Sequence, residues 1–434
     1  MELFGISLAC YVLGALAALC PRSENAANAL GAGGALLGSL IGLAAFCIAP
    51  ASAQTQLSLP WGLPIGSLTL GLDPASRLFL LPVSLLGAAC AVSGAASLGG
   101  HGHASSSHGR LGAHWFFFNA LLLGLSLVMA ARDAVCFLLA WEIMSLAPFF
   151  LISFHDDEPE VREAAWVYLV AAHLGAVCVL AFFTLFFAAA GATGFDALAA
   201  AAANGRLAAP SLLFLLALAG FGAKAGFYPL HVWLPEAHPA APSHVSAILS
   251  GAMISAGLYG LWRAAELLGP GAAWWGWVLL AVGLVSASMG ILQGLAQGNL
   301  KRMLAYSSVE NMGLACLGLG LGLIGRAQGS EAMAALGLTG AVFSVCNHAA
   351  FKGLLFLCAG EVLHAVGSVR LAHLGGLGKR LPVVGSAFLL AATGIAGLPP
   401  LAGFAGELAL ALALLDGLRL PGLLPRVAMA AALA

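Results

Sequence analysis

Runs of about twenty apolar residues follow one another along nearly the whole of a 434-residue chain, and this recurrence limits the fold more than any motif does. A hydrocarbon core roughly 30 Å thick is crossed by about 20 apolar residues in a helix. In lipid only helices and closed barrels satisfy their own backbone. The runs fall near 3–20, 28–49, 76–98, 113–131, 133–153, 164–190, 210–229, 243–267, 272–295, 303–325, 332–365 and 382–415, and a thirteenth begins near Leu420. Charged residues make up 8% of the chain, against roughly 25% in a soluble domain, so it cannot clothe itself in a water-compatible surface. The expectation is an all-α polytopic membrane protein, in contact with the lipid bilayer, with about 13 transmembrane helices. The first run has no basic start and no small-residue cleavage site behind it, so it reads as a retained span rather than a signal peptide. The last stops at "MAAALA", short of a full span, and reads as incomplete or truncated.

A net charge of −1 gives no electrostatic case for nucleic acid. Nine cysteines are scattered singly, mostly inside apolar runs. They read as small buried hydrophobes, with no haem or iron–sulfur framework and no cofactor in this chain. Residues 50–75 alternate and are broken by proline, which predicts a short extramembrane hairpin. "GGHGHASSSHGRLGAH" reads as a flexible loop in which His101, His103, His108 and His114 lack a carboxylate or cysteine to fix a metal geometry, so no metal site is expected. "HDDEPEVRE" is a solvated acidic connector with Pro159 at a helix start. Connectors after odd-numbered helices carry eight Lys and Arg, those after even-numbered helices six, a lean toward odd loops in the cytoplasm.

Charges inside the runs carry the functional argument. Glu142 lies nine residues into the fifth run, ~13 Å deep at about 1.5 Å per residue. Lys224 is deep in the seventh, Glu310 about one-third along the tenth, Lys352 near the middle of the eleventh with Glu361 beyond it, and Glu407 in the twelfth. The chain has four lysines, and two of them sit at membrane depth. Each such charge costs at least ~2.5–3.5 kcal/mol on insertion scales. One reading is that they pair as buried ion bridges, Glu142 with Lys224 first among them. Buried pairs gain little over apolar residues of equal volume, so stability is a poor reason to keep one. The other reading is a proton path, in which moving or neutralising a carboxylate switches a nearby lysine between holding and releasing its proton. His348 and Lys352 are four apart and share a helix face, and Glu361 and His364 are three apart. In "NLKRMLAYSSVENMG", Lys301 and Arg302 read as interfacial, with Tyr306, Ser307, Ser308 and Glu310 pointing inward.

Prolines give the second clue. "GFGAKAGFYPLHVWLPEAHPAAPSH" breaks the seventh helix after Lys224, and "GLPPLAGFAGE" breaks the twelfth before Glu407. Broken helices are tolerated in a bilayer only where protein or a wet cavity satisfies the freed backbone, and they mark ion sites in transporters. The break after Lys224 is expected to admit water, with His231, Glu236, His238 and His244 in reach of the lysine. Two broken helices five apart suggest a five-helix repeat: helices 1–3 over 1–112, a first unit over 113–267, and a second over 272–434 that is incomplete.

These stretches, with "DAVCFLLAWEIMSLAPFFLISF" and "NHAAFKGLLFLCAGEVLHAVG", resemble the antiporter-like, proton-translocating membrane subunits of complex I, Mrp-type antiporters and membrane-bound hydrogenases, over about residues 113–415. "SSVENMG" and "GEVLHAVGSVRLAHLGGLGKRLP" most resemble component B of hydrogenase-4 and formate hydrogenlyase. The resemblance implies fourteen core helices, two inverted five-helix repeats with helices 7 and 12 discontinuous, and a bacterial cell-membrane location. It also implies a midplane axis of ionisable residues, with other membrane and peripheral subunits of a hydrogenase or complex I-like assembly as partners. Carried over, Glu142 matches the coupling glutamate, Lys224 the ion-pair lysine, Lys352 the central lysine with His348 before it, and Glu407 the end of the axis. Many members have a lysine or histidine on the eighth helix, where this chain offers Ser250 and Ser255.

Three functions compete: a proton-conducting subunit driven by redox chemistry in its partners, an Mrp-type cation/proton antiporter subunit, and a non-conducting scaffold for hydrogenase assembly. The scaffold accommodates the eighth-helix serines but does not explain two deep lysines.

Overall fold

The computed structural model describes residues 1–48, 55–59, 61, 66–99 and 110–433. Helices α1 (Glu2–Leu19) and α2 (Glu24–Ile48) lead to an antiparallel hairpin of β1 (Thr55–Leu59) and β2 (Leu68–Leu72), with Thr55 opposite Leu72. The hairpin expected over 50–75 is present in its described residues. There follow α3 (Pro74–Gly99), α4 (Arg110–Ala130), α5 (Ala134–Ile152), α6 (Pro159–Ala190) and a short α7 (Phe195–Ala203). The interrupted region comprises α8 (Pro210–Ala225), α9 (Leu234–Ala240), α10 (Ser243–Ile248), a π-helical turn at Leu249–Met253, and α11 (Ile254–Leu268). Then come α12 (Trp274–Leu295), α13 (Leu300–Gln328), α14 (Glu331–Val366), α15 (Leu377–Arg380), α16 (Pro382–Ile395), α17 (Ala402–Gly417) and α18 (Leu423–Leu433).

Among the described residues, ten helices are long and apolar enough to cross a membrane, counting Ser243–Leu268 as one. They coincide with the first six runs and with the eighth to eleventh. The seventh and twelfth runs are the split ones. The chain is therefore an all-helical, multi-pass membrane protein apart from the hairpin.

Local chemistry sets the helix ends. Asp133 caps α5 by accepting from the Val135 and Cys136 amides, and Asn299 and Ser330 cap α13 and α14 in the same way. Pro159, Pro210 and Pro382 stand in the first turns of α6, α8 and α16, where a missing N–H costs nothing. α8 stops at Gly226, whose φ of 77° suits glycine and whose amide closes on the Gly222 carbonyl.

Burial identifies the centre. In an 18-residue apolar stretch of the Ser243–Leu268 run 94% of the residues are buried, and in that of α13 83%, whereas in that of α2 only 28% are, so α2 turns most of its surface outward. α12 and α13 lie close because Gly283 meets the backbone of Gly313 and Leu317, where a Cβ would stand 2.5 Å from the Leu317 nitrogen. On the hairpin side of the bundle, Asp73 is held by Arg263 at 2.5 Å and Arg132 at 3.1 Å. Burial would raise the Asp73 carboxyl, but the Arg263 hydrogen bond and charge, with Arg132, outweigh it and hold the group below the usual carboxylate range.

Candidate functional site

Three of the four lysines are buried: Lys224 is 4% exposed, Lys301 2% and Lys352 0%. Each is solvated by neutral oxygens. The Lys224 ammonium ends α8, donates to Ser145 Oγ and Tyr168 Oη at 3.1 Å each, and lies 5.3 Å from the Tyr168 ring centre. Tyr168 is fixed in turn, its hydroxyl donating to the Ser145 carbonyl at 2.8 Å. Lys352 donates to the Leu304 carbonyl at 2.9 Å and to Ser307 Oγ. Lys301 donates to the Ala241 carbonyl at 2.9 Å. The interfacial placement expected of Lys301 is thus corrected: its stem runs inward from the first turn of α13, and its charge ends on a freed carbonyl next to Pro242.

The expected ion pair between Glu142 and Lys224 is not made. The Glu142 side chain is 43% exposed on the outside of the bundle, and His173 Nε2 lies 3.9 Å from its carboxylate. Glu142 stays within electrostatic range of both Lys224 and Tyr168. The reason is facial. Glu142 stands at the outer edge of the inward face of α5, and Ser145, its neighbour three residues on, is fully buried and takes the place beside the lysine that the carboxylate was expected to hold.

The proline-rich stretch also distributes its side chains differently from expectation. None of its ionisable groups hydrogen-bonds to Lys224. His231 Nε2 meets Gln293 Oε1 at 3.1 Å, and Glu236 pairs with Arg302 at 2.7 Å. His244 Nε2 lies 2.9 Å from His114 Nε2. His114 is therefore a buried residue of α4 rather than part of the histidine loop, while His101, His103 and His108 lie outside the described residues. His238 is fully buried, its ring stacked on Phe356 at 4.9 Å, and neither ring nitrogen meets a protein partner. It lies within electrostatic range of Lys352 and Lys301.

Between the lysines, Trp233 packs edge-on to Tyr168 at 5.3 Å and lies 6.5 Å from the His238 ring. The sequence of groups is thus Lys224, Tyr168, Trp233, His238 and Lys352. An imidazole from the broken segment occupies the interval in which the eighth helix has only serines. Those serines do local work. Ser250 Oγ meets Ser308 Oγ at 2.8 Å, and its carbonyl, in the π-helical turn, accepts from His348 Nε2 at 3.3 Å. Ser255 donates to the Gly251 carbonyl of its own helix. His348 and Lys352 are both buried and interact electrostatically, as their spacing implied.

Beyond Lys352, Glu310 lies within electrostatic range of both Lys352 and Glu407. Glu407 packs at the break of the twelfth helix, its carboxylate against Gly397, whose φ is 64°. Glu361 and His364, further along the same helix, are both exposed near the end of α14 and line a cavity there. Sequence reasoning missed Ser145, Tyr168, His173 and Gln293. Two signals were available: Ser145 lies three residues after Glu142, and Tyr168 and His173 are polar-tipped residues in a mostly apolar run.

Comparison with known proteins gives four matches. The family described as "NADH:quinone oxidoreductase/Mrp antiporter, TM" matches residues 131–418. Hydrogenase-4 component B of Escherichia coli K12 is 37% identical over 344 residues, covering 78% of this chain and 50% of that protein. Formate hydrogenlyase subunit 3 of the same organism is 43% identical over 195 residues, covering 45% of this chain and 32% of that protein. Among solved structures, the Mrp complex from Dietzia sp. DQ12-45-1b contains a chain that superimposes with a TM-score of 0.83 at 26% identity, covering 99% of this chain and 44% of the other. The chain spans about half the length of the curated relatives it matches.

Proposed function

The chain belongs to the NADH:quinone oxidoreductase/Mrp antiporter membrane family, and on that premise we propose that it conducts protons through the midplane as one subunit of a larger membrane complex. The observation that carries the reading is the pair of buried lysines, Lys224 and Lys352, each held by uncharged oxygens and separated by an aromatic and imidazole bridge. A lysine clamped to a carboxylate is fixed as a cation. One held by hydroxyls and carbonyls keeps hydrogen-bond partners whether it is charged or neutral.

In this reading Lys224 receives its proton under the control of Glu142. That glutamate faces outward with His173, where a neighbouring subunit can change its charge. Tyr168 and Ser145 hold the ammonium. His238 takes the proton onward, with water bridging to its free nitrogens, and Lys352 stores it beside Ser307, Ser308, Ser250 and His348. Glu310 and Glu407 continue the axis toward the second broken helix. The two breaks would then head two related five-helix units. In this reading the chain itself needs no cofactor. Redox chemistry falls to partner subunits of a hydrogenase- or quinone oxidoreductase-like assembly in a bacterial cell membrane, as the names of its relatives suggest.

A test is proton movement in vesicles carrying the assembled complex. Glu142→Gln should abolish redox-driven movement while leaving assembly intact. Undiminished pumping by that variant would sink the coupling role. The Mrp likeness supports a second reading, cation/proton exchange. Sodium-dependent exchange by the same vesicles, without a redox substrate, would favour it.

A further inference from the structure

A cavity of about 920 Å³ opens on the side of the bundle away from the hairpin, where α3, α5 and α14 end and α6, α10 and α13 begin. Its rim carries Glu160, Glu163, Glu236 and Glu361. Its inner wall includes two buried groups, His244 and Lys301. Behind His244 stands His114, also buried, with the two Nε2 atoms 2.9 Å apart. A contact that short between ring nitrogens requires one N–H and one lone pair, so the pair shares a single proton along that line. His114 Nδ1 has no protein partner.

The pair is tightly enclosed. Trp115 stacks over His244 at 6.2 Å, Phe154 meets His114 edge-on at 4.8 Å, and a Cβ on Gly94 would stand 2.8 Å from His244 Cδ2. Two imidazoles packed this closely, with no carboxylate among their hydrogen-bond partners, are a costly arrangement if they serve only packing. From His244 the field of Lys301 is felt, and Lys301 in turn acts on His238, which acts with Lys352. The cavity, the histidine pair and the central lysine are therefore linked by titratable groups within electrostatic range of one another.

We infer that this cavity is the vestibule through which protons are taken up from the aqueous phase on that side, and that His244, positioned by His114, is their first buried station. The inference rests on the proton-conduction reading and adds the route by which the axis is filled. The rim carboxylates collect protons from bulk water. His244 accepts on the nitrogen that faces the vestibule while His114 holds the other, and release runs past Lys301 toward His238. No bond other than N–H and O–H is made or broken.

The test uses sealed vesicles carrying the assembled complex, with a pH-sensitive dye trapped inside and an imposed membrane potential. His244→Gln should lower proton flux at least tenfold. His114→Phe, which removes the hydrogen bond, should do the same, whereas His114→Gln, which keeps a partner for His244, should stay within about threefold of wild type. Ser97→Cys lines the cavity without touching the pair. Treated with a bulky, membrane-impermeant thiol reagent on the vestibule side, it should lose flux that the treated wild type keeps. Lys352→Ala separates the two levels. If it stops flux while His244→Gln and the labelled Ser97→Cys conduct normally, the vestibule is overturned and conduction stands. If Lys352→Ala itself conducts normally, the inference falls with the reading it rests on.

Discussion

Lys224 shows how a single charge is kept at membrane depth. Two residues hold it: Ser145 and Tyr168, both through hydrogen bonds, with the Tyr168 ring centre 5.3 Å away. A hydrogen bond to a charged group contributes ~1.5–3 kcal/mol, so Tyr168→Phe should slow proton transfer through Lys224 roughly 10- to 100-fold. Flux in vesicles at a fixed potential checks this, and Tyr306→Phe, which has no contact with Lys224 among those described, is the control. The depth of Lys224 and Lys352 was legible from the sequence, because charges are rare in apolar runs and their positions can be counted. The partners were not. Which face of α5 turns inward depends on helix packing, and Glu142 and Ser145 differ only by rotation about one axis. The inward course of Lys301 was hidden for a similar reason: a lysine at a helix start snorkels outward by default, and only the freed Ala241 carbonyl pulls it in.

The two broken helices were the most legible elements, since proline and glycine announce themselves. The seventh breaks after Gly226 and the twelfth between Ile395 and Ala402, near the positions the prolines mark. What the pattern did not contain was the destination of the residues beyond the first break. His231, Glu236, His238 and His244 face four different surroundings because α9 and α10 are short and turn sharply at Pro242. The cap itself can be tested. Gly226→Ala places a Cβ at a φ of 77° and against Leu234, whereas Gly205→Ala meets a φ of 67° with nothing within 4 Å. Both variants incur the left-handed penalty of ~1–2 kcal/mol, but Gly226→Ala should lower the melting temperature in detergent by clearly more. Equal shifts would mean that the break is not set by packing at Gly226.

At the scale of the whole molecule, the two sides of the bundle are built for different work. The hairpin side is tied by Asp73 between Arg132 and Arg263. Because the folded carboxyl titrates below its unfolded value, its stabilisation is complete above the unfolded pKa near ~3.9 and is lost as pH falls through the folded one. Melting followed between neutral and acid pH should show Asp73→Asn less stable than wild type at pH 7, the difference closing toward acid. The opposite side holds the acidic vestibule and the buried histidine pair. This division was not legible in the sequence: the small excess of basic residues falls in the odd loops, on the vestibule side, and the acidic rim arises from side chains far apart in the chain. The central claim is that protons cross between the two buried lysines, and the most direct test is proton flux into sealed vesicles at a fixed potential. Lys224→Ala and Lys352→Ala should each reduce flux to the background of empty vesicles, while Lys379→Ala, at an exposed position, should leave it unchanged. Wild-type flux in both buried-lysine variants, with the complex assembled, would contradict the account.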